Sequence, residues 1–214
     1  MKVVSTEELD KVFYQKVKDI QPDLFVEAGA WDGSTSLRVL KLSPNTEIHA
    51  YEANKYVHEK FVDTFKGKSA SYHNMALSDK SGKAKFFIQL THRNNIVQKT
   101  KKNNSLKERN EPGMSYEPLE VNMDKIDNLH SGYENVVMWI DVEGVGLEVL
   151  KGASNLLDSV KMLKIEVESH QFWKDQMLDD KIIEYLTQKG FSITYRDEER
   201  KDQYNIIFEK EITT

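Results

Sequence analysis

The stretch LFVEAGAWDGSTSL, residues 24–37, decides how this chain is read. An apolar run of strand length meets an acid at Glu27, breaks at Gly29 and Gly33, and resumes with helical spacing. That is the pattern of a buried strand turning into a helix. Glycines at such a turn let backbone approach something closely and let the helix start without a side-chain clash. A tight turn and a ligand-holding loop both fit, and the residues around the stretch have to separate them.

The alternation extends outward in both directions. Upstream, residues 5–20 form an amphipathic helix with Leu9, Val12, Phe13 and Val17 as its apolar stripe, Ser5 or Thr6 as cap, and Glu7 and Glu8 in the first turn. Downstream, the spacing predicts a helix over 36–42 and a strand over 47–53. A helix over 54–66, capped by Asn54 and stopped at Gly67, and a strand over 69–77 come next. Residues 82–90 read as an extra strand. Residues 91–116 are polar, basic and nearly aperiodic, and a loop this long in a compact domain is a lid or a solvated mobile segment. After a short strand and helical turn over 117–129, the alternation returns as a strand over 135–142, a helix over 145–159, a strand over 160–169 and a helix over 178–190. Strands over 191–197 and 202–210, joined by the charged turn EERK, form a hairpin, so one of them runs antiparallel. The expectation is α/β: one domain over residues 1–214, with a mostly parallel sheet and helices on both faces.

Composition narrows the class. With 35 acids against 30 lysines and arginines the net charge is −5, the opposite of a dedicated nucleic-acid binder. The absence of cysteine excludes disulfides, thiolate catalysis and cysteine-ligated zinc. Residues 1–19 lack the apolar core of a signal peptide, and no run approaches the ~20 apolar residues of a membrane helix. A cytoplasmic protein with no membrane span is expected.

In parallel sheets, ligands bind beyond the carboxyl ends of the strands, where strand order reverses. Glu52 ends the second strand, about 20 residues after the glycine loop, where an acid accepts hydrogen bonds from ribose hydroxyls. Nicotinamide dinucleotides and S-adenosylmethionine both present that ribose. Gly29 and Gly33 do not complete G-x-G-x-x-G, and Glu27 would repel a pyrophosphate but welcome an ammonium. The balance tilts toward S-adenosylmethionine, with a nucleotide-cofactor oxidoreductase as the alternative.

A second signature is MWIDVEGVGLEVLKGA, residues 138–153. Asp141 and Glu143 follow an apolar strand and fall on one side of it if strand geometry persists. Acids there are costly unless solvated or paired. They either face a ligand cleft or form a salt bridge to Lys151 or Lys164.

The two signatures together resemble the FkbM-type methyltransferases, a branch of the Rossmann-like S-adenosylmethionine-dependent enzymes. HAYEAN, NMALSDKSGKAKF and EVNMDKIDNL fit that family's pattern too, so the resemblance covers roughly residues 22–170. It implies a Rossmann-like class I methyltransferase fold with a mostly parallel seven-stranded sheet and an antiparallel last strand. It also implies that Glu27, Gly29, Ala30, Trp31 and Gly33 line the methionine and ribose portion of the cofactor. Glu52 and Ala53 would hold the ribose, Ala76 and Leu77 in the segment 74–79 would border the adenine, and Asp141 would lie near the transferred methyl. Trp31 and Asp32 stand where many members have asparagine and a bulky aliphatic residue, which marks a subtype. The activity implied is O-methylation of a sugar, glycan or other small hydroxyl compound. Methylation of nucleic acid, and an inert binding module on the same fold, are the other readings.

A hydroxyl acceptor benefits from a positioned base, and the candidates are Asp141, Glu143, Glu168 and His170. In the strand over 160–169, Lys164, Glu166 and Glu168 share one face, either at a wet cleft or in an ion-pair ladder. Asp141, Glu143 and Glu168 are of the type Mg2+ prefers, but no spacing demands a metal and none is predicted. His49, His58, His73, His92 and His130 read as structural or surface residues, and Trp139, Phe86 and Phe87 as core. The loop cations His92, Arg93, Lys99, Lys101, Lys102, Lys107 and Arg109 either stay solvated or recognise an anionic acceptor such as a phosphorylated or acidic sugar, or nucleic acid.

Overall fold

The computed structural model describes residues 1–109, 111–198 and 200–210. Residue 110 of the expected loop, residue 199 of the expected turn and the last four residues of the expected domain lie outside these. The chain runs β1 (Lys2–Val4), α1 (Thr6–Ile20), β2 (Leu24–Ala28), α2 (Ser34–Leu42), β3 (Glu47–Tyr51), α3 (Lys55–Phe61), β4 (Ala70–His73), β5 (Ala76–Leu77), β6 (Gly82–His92) and β7 (Asn95–Ile96). It continues through β8 (Ser115–Asp124), α4 (Ile126–Leu129), β9 (Val136–Ile140), α5 (Gly146–Gly152), β10 (Val160–Glu168), α6 (Asp179–Gln188), β11 (Phe191–Asp197) and β12 (Gln203–Lys210).

The main sheet has the order β1-β11-β12-β10-β9-β2-β3-β4. Strands β10, β9, β2, β3 and β4 run parallel to one another, and β12 is antiparallel to both β10 and β11. The Rossmann-like architecture and the antiparallel last strand are therefore as expected. The strand count is not: the sheet has eight strands, because Lys2–Val4 adds a parallel strand beyond β11. Three residues before a strong helix carry no readable period, which is why this strand left no signal. Two predicted helices also finish early. Residues 54–66 divide into α3 and a 3-10 turn at Val62–Phe65, and residues 145–159 into α5 and a 3-10 turn at Leu156–Asp158.

Successive residues of the central strands enter opposite cores, as the pleat requires. Phe25, Val137 and Met162 pack with Leu9, Phe13 and Val17 of α1 and Val39 of α2. Leu24, Val26, Met138 and Ile165 pack with Leu147 and Leu150 of α5 and Leu186 of α6. Helix α1 is capped as its sequence requires, with Ser5 Oγ accepting from Glu8 N at 3.2 Å.

The predicted strand over 69–77 breaks in two. Asn74 Nδ2 donates to the Glu52 and Ala53 carbonyls at 2.9 and 3.2 Å and turns the chain out of the main sheet. Ala76 and Leu77 pair instead in a second sheet, of order β5-β8-β6-β7. This sheet stands beside the carboxyl ends of β2, β3 and β9 and carries the segment between β7 and β8 over them. No helix among the described residues is long and apolar enough to cross a membrane.

Candidate active site

The loop after β2 is built by close packing. Gly29 has φ +79, and a Cβ there would stand 1.9 Å from the Asp141 carbonyl oxygen. Gly33, at φ +69, is the N-cap of α2, and a Cβ on it would collide with the Phe65 ring at 2.4 Å. Between them Trp31 takes φ 40, an uncommon conformation for an aromatic residue. Three hydrogen bonds hold it there. Its N–H donates to Glu52 Oε2 at 2.9 Å, its carbonyl accepts from the Tyr72 hydroxyl, and its indole N–H donates to the Thr100 carbonyl at 3.1 Å.

Two acids organise this end of the sheet. Glu52 is buried, and its second oxygen accepts from Asn54 N at 2.7 Å. Burial raises its pKa to about 7 against the lowering effect of those backbone donors. Glu27 is buried too, with Oε2 accepting from Ser36 N at 3.0 Å in the first turn of α2 and from the Ser36 hydroxyl. Burial raises its pKa to about 8, while the Ser36 bonds pull it down.

These groups face a cavity of about 190 Å³. Glu27, Gly29, Ala30, Trp31, Glu52, Ala53, Ala76, Leu77 and Asp141 all line it. Gly33 does not; its place is the helix start against Phe65. Met75, Val57 and Phe86 add an apolar floor, so Phe86 is both core of the small sheet and cavity wall. Residues 101–106 form part of the lining, and the stretch is anchored at several points. Asn54 Nδ2 donates to the Lys99 carbonyl at 2.7 Å, Lys102 Nζ lies 4.5 Å from the centre of the Trp31 ring, and Ser105 Oγ donates to the Glu143 carbonyl.

Asp141 and Glu143 sit just past the end of β9 and line this cavity and a second one of about 210 Å³. Glu143 Oε2 is buried without a hydrogen-bond partner, and burial followed by the neighbouring Asp141 raises the Glu143 pKa to about 7. Lys164 is held by Asp10, at 2.5 Å, and lies 3.7 Å from the centre of the Trp139 ring. Trp139, read as core, is half-buried and lines both cavities, with its ring edge-on to Phe13 and stacked on Tyr14.

Of the candidate bases, Asp141 and Glu143 face the cavities. Glu168 is buried behind them, accepts from Gln176 Nε2 at 2.7 Å, and has its pKa raised to about 8 by burial and by Glu143. His170 is exposed on the turn after β10, edge-on to Phe172, and lines neither cavity. The acid cluster that converges is Glu143, Glu166 and Glu168, with oxygens within 4.8 Å of one another, whereas the sequence had grouped Asp141 with Glu143 and Glu168. Amide donors from Gln203 and Gln176 already serve Glu166 and Glu168.

Sequence reasoning missed the second cavity. Thr6, Asp10, Arg200, Gln203 and Asn205 reach it from α1 and the terminal hairpin, far from either signature in the chain. Only the sheet order brings them there.

The chain matches the family described as the methyltransferase FkbM domain over residues 21–193. Among solved structures it is similar to magnesium protoporphyrin IX methyltransferase from Synechocystis PCC 6803, solved with bound SAM. The TM-score is 0.51 at 12% identity, over 96% of this chain and 79% of that one. It is also similar to methyltransferase FkbM from Methylobacillus flagellatus KT, with TM-score 0.50 and 15% identity over 87% of this chain and 44% of that one. A third is precorrin-6y C5,15-methyltransferase from Geobacter metallireducens GS-15, with TM-score 0.51 and 12% identity over 92% of this chain and 87% of that one. At these identities the likeness is one of fold. No curated protein matches the chain in sequence. The family match spans most of the chain and carries the conclusion: the protein belongs to the FkbM methyltransferases and is an S-adenosylmethionine-dependent enzyme.

Proposed function

We propose that the protein methylates a hydroxyl oxygen of a small polyhydroxylated acceptor, a sugar or glycan end, with Glu143 as the base. The observation that carries this reading is the position of Asp141 and Glu143 on the wall shared by two cavities of different character. The first has the features a sulfonium nucleoside requires. Glu52 would hold a ribose, Ala76, Leu77 and Met75 would border a base, and Glu27 would meet an ammonium, whose charge favours release of the proton that burial holds on it. The bound cofactor supplies a methyl group already activated for transfer. Every residue lining the second cavity except Trp139 has a polar side chain, which suits a hydroxylated acceptor.

Within this reading the chain aligns the acceptor oxygen and takes its proton. Glu143, with a pKa near neutrality, suits that task. The segment 97–106 acts as a lid that rests on Trp31 at the mouth of the first cavity.

The runner-up, methylation of nucleic acid, rests on the basic loop. Several of those cations are engaged within the chain: Lys99 with Glu117, Arg93 with Glu111 at 2.7 Å, and Lys107 with Glu148 at 2.8 Å. That pairing favours the small-molecule reading. An oxidoreductase would have to place a pyrophosphate near buried Glu27. The test is transfer of radiolabelled methyl from S-adenosylmethionine to a panel of free sugars, sugar acids, sugar phosphates and RNA. A methyl ether on a carbohydrate is the expected product. Label in RNA alone would replace this reading with the runner-up, and cofactor binding without transfer to any acceptor would favour an inert module.

A further inference from the structure

We infer that the second cavity is the acceptor subsite and that it takes a small hydroxylated oxyanion, whose carboxylate or phosphate lies between Arg109 and Arg200. This rests on the methyltransferase reading above and names the chemical class of its substrate.

The cavity is lined by residues from four separate parts of the fold: α1, the segment between β7 and β8, the strands β9 and β10 with the turn after β9, and the terminal hairpin. Its aromatic wall, Trp139, is covered by Lys164 on a face and by Phe13 and Tyr14 elsewhere. A flat apolar acceptor or a stacked base has no platform there. Everything else that lines it carries a charge, an amide or a hydroxyl, so an occupant that displaces water must itself make many hydrogen bonds.

The lining carries four acids, Asp10, Asp141, Glu143 and Glu166, against four cations, Lys102, Arg109, Lys164 and Arg200, so the pairing of the cations rather than their number decides where an anion can dock. Lys164 is neutralised by Asp10. Lys102, Arg109 and Arg200 all act on Glu143 through space, and among the described residues none of them forms an ion pair with it. Arg109 is held over the rings of Phe172 and Trp173, at 5.5 and 5.0 Å, and its Nε–H is buried without an acceptor. Arg200 donates through Nη1 to Gln203 Oε1 at 3.1 Å, which fixes its head at the rim. Opposing them, burial and Asp141 raise the Glu143 pKa to about 7, and burial and Glu143 raise that of Glu168 to about 8, so each takes up a proton more readily than an exposed acid. A guanidinium with an unmet donor, held rigid on aromatic faces, is built to receive an oxyanion.

The geometry divides the work. The anion docks at the arginine side of the cavity, and a hydroxyl of the same molecule reaches the wall shared with the first cavity. There the hydroxyl oxygen forms its bond to the incoming methyl carbon as the carbon–sulfur bond breaks toward sulfur. The hydroxyl proton passes to the Glu143 carboxylate, and a neutral thioether and a methyl ether result.

The test is calorimetric titration of the whole chain, saturated with S-adenosylhomocysteine, using D-glucose, D-glucuronate and D-glucose 6-phosphate as probes. The variants are Arg109→Gln and Arg200→Gln, with Lys161→Gln at an exposed site as control. The expected result is that at least one anionic probe binds about tenfold or more tightly than glucose. Each arginine variant then loses most of that preference while retaining its affinity for S-adenosylhomocysteine, and Lys161→Gln does not. Whether glucuronate or the phosphate binds better identifies the oxyanion. Equal binding of all three probes, no binding of any, or a preference untouched in both arginine variants would overturn the inference. Failure of S-adenosylhomocysteine to bind the wild type would instead sink the reading beneath it. Arg200 sits at the rim, so its variant keeps the test decisive if Arg109→Gln unfolds.

Discussion

Gly29 and Asp141 are in backbone contact across the top of the sheet, so close that a single added carbon on Gly29 would meet the Asp141 carbonyl oxygen at 1.9 Å. The glycine loop and the acid signature, more than a hundred residues apart in the chain, are therefore one structural unit. Gly29→Ala combines a left-handed φ with an overpacked contact, and a loss of about 2–4 kcal/mol is expected from the two together. Urea unfolding measures it. Affinity for S-adenosylhomocysteine should fall as well, because the shift moves Asp141.

Glu52 has two duties that different substitutions separate. Glu52→Gln keeps an acceptor for one of the backbone donors, Trp31 N or Asn54 N, and should leave the protein folded. Glu52→Ala strands both buried N–H groups and should lower the melting temperature markedly. Both should weaken binding of S-adenosylhomocysteine by about 10–100-fold, the value of a hydrogen bond to a charged group. Calorimetry on the two variants checks this. Undiminished affinity in Glu52→Gln would remove the ribose assignment.

The proposed base has a pH signature. With the Glu143 pKa near 7, the rate should rise as pH passes through that value and then level off. Glu143→Gln should lower kcat by about 10²–10⁴-fold and abolish that limb of the profile, with KM changed far less. Retention of the profile in the variant would exclude Glu143 as the proton acceptor.

Glu27 links pH to stability. Its pKa rises from 4.5 to about 8 on folding, so between those values the native state holds a proton that the unfolded chain has released. The native protein is therefore favoured below pH 4.5 in this respect, and the advantage disappears as pH rises through about 8. In Glu27→Gln the dependence of unfolding free energy on pH over this window should flatten by up to about 1.4 kcal/mol per pH unit. Urea unfolding at pH 6, 7 and 8 without ligand gives the comparison. An unchanged slope would mean that Glu27 ionises in the folded protein as it does in the unfolded chain.

The lid assignment predicts protection. Lys101 and Lys102 are exposed, and their segment touches the site through Trp31 and Asn54. S-adenosylhomocysteine should slow trypsin cleavage at residues 99–102 without slowing cleavage at exposed Lys161, as mass spectrometry of the fragments would show. Equal cleavage with and without ligand would reduce the segment to a fixed wall.

The sequence made the central sheet legible because β2 and β9 are short apolar runs ended by a glycine or an acid, because β10 alternates apolar and charged residues, and because α1 and α6 carry a helical period. It made the loop at Gly29 and the acids Glu27, Glu52, Asp141 and Glu143 legible for the same reason: polar residues at the end of buried strands are conspicuous. It could not show that Ala76 and Leu77 leave the main sheet, since that depends on Asn74 reaching two carbonyls. Nor could it show that Asp10, Arg109 and Arg200 meet, since no local period records a contact between a first helix, a loop and a last hairpin. His170 drew notice through its place after a charged strand, but the turn at Ser169 carries it to the exposed surface.

The three-residue strand β1 changes the frontier of the sheet. Without it, the seven-residue strand β11 would present its unpaired backbone along its full length to any neighbouring molecule. With it, Tyr195, Arg196 and Asp197 are paired, the open stretch of β11 shortens to its first four residues, and Lys2 places a charge on the new edge. A few residues ahead of the first helix thus shorten the edge open to strand addition by another molecule. Their removal should be felt in colloidal behaviour at high concentration before it is felt at the active site.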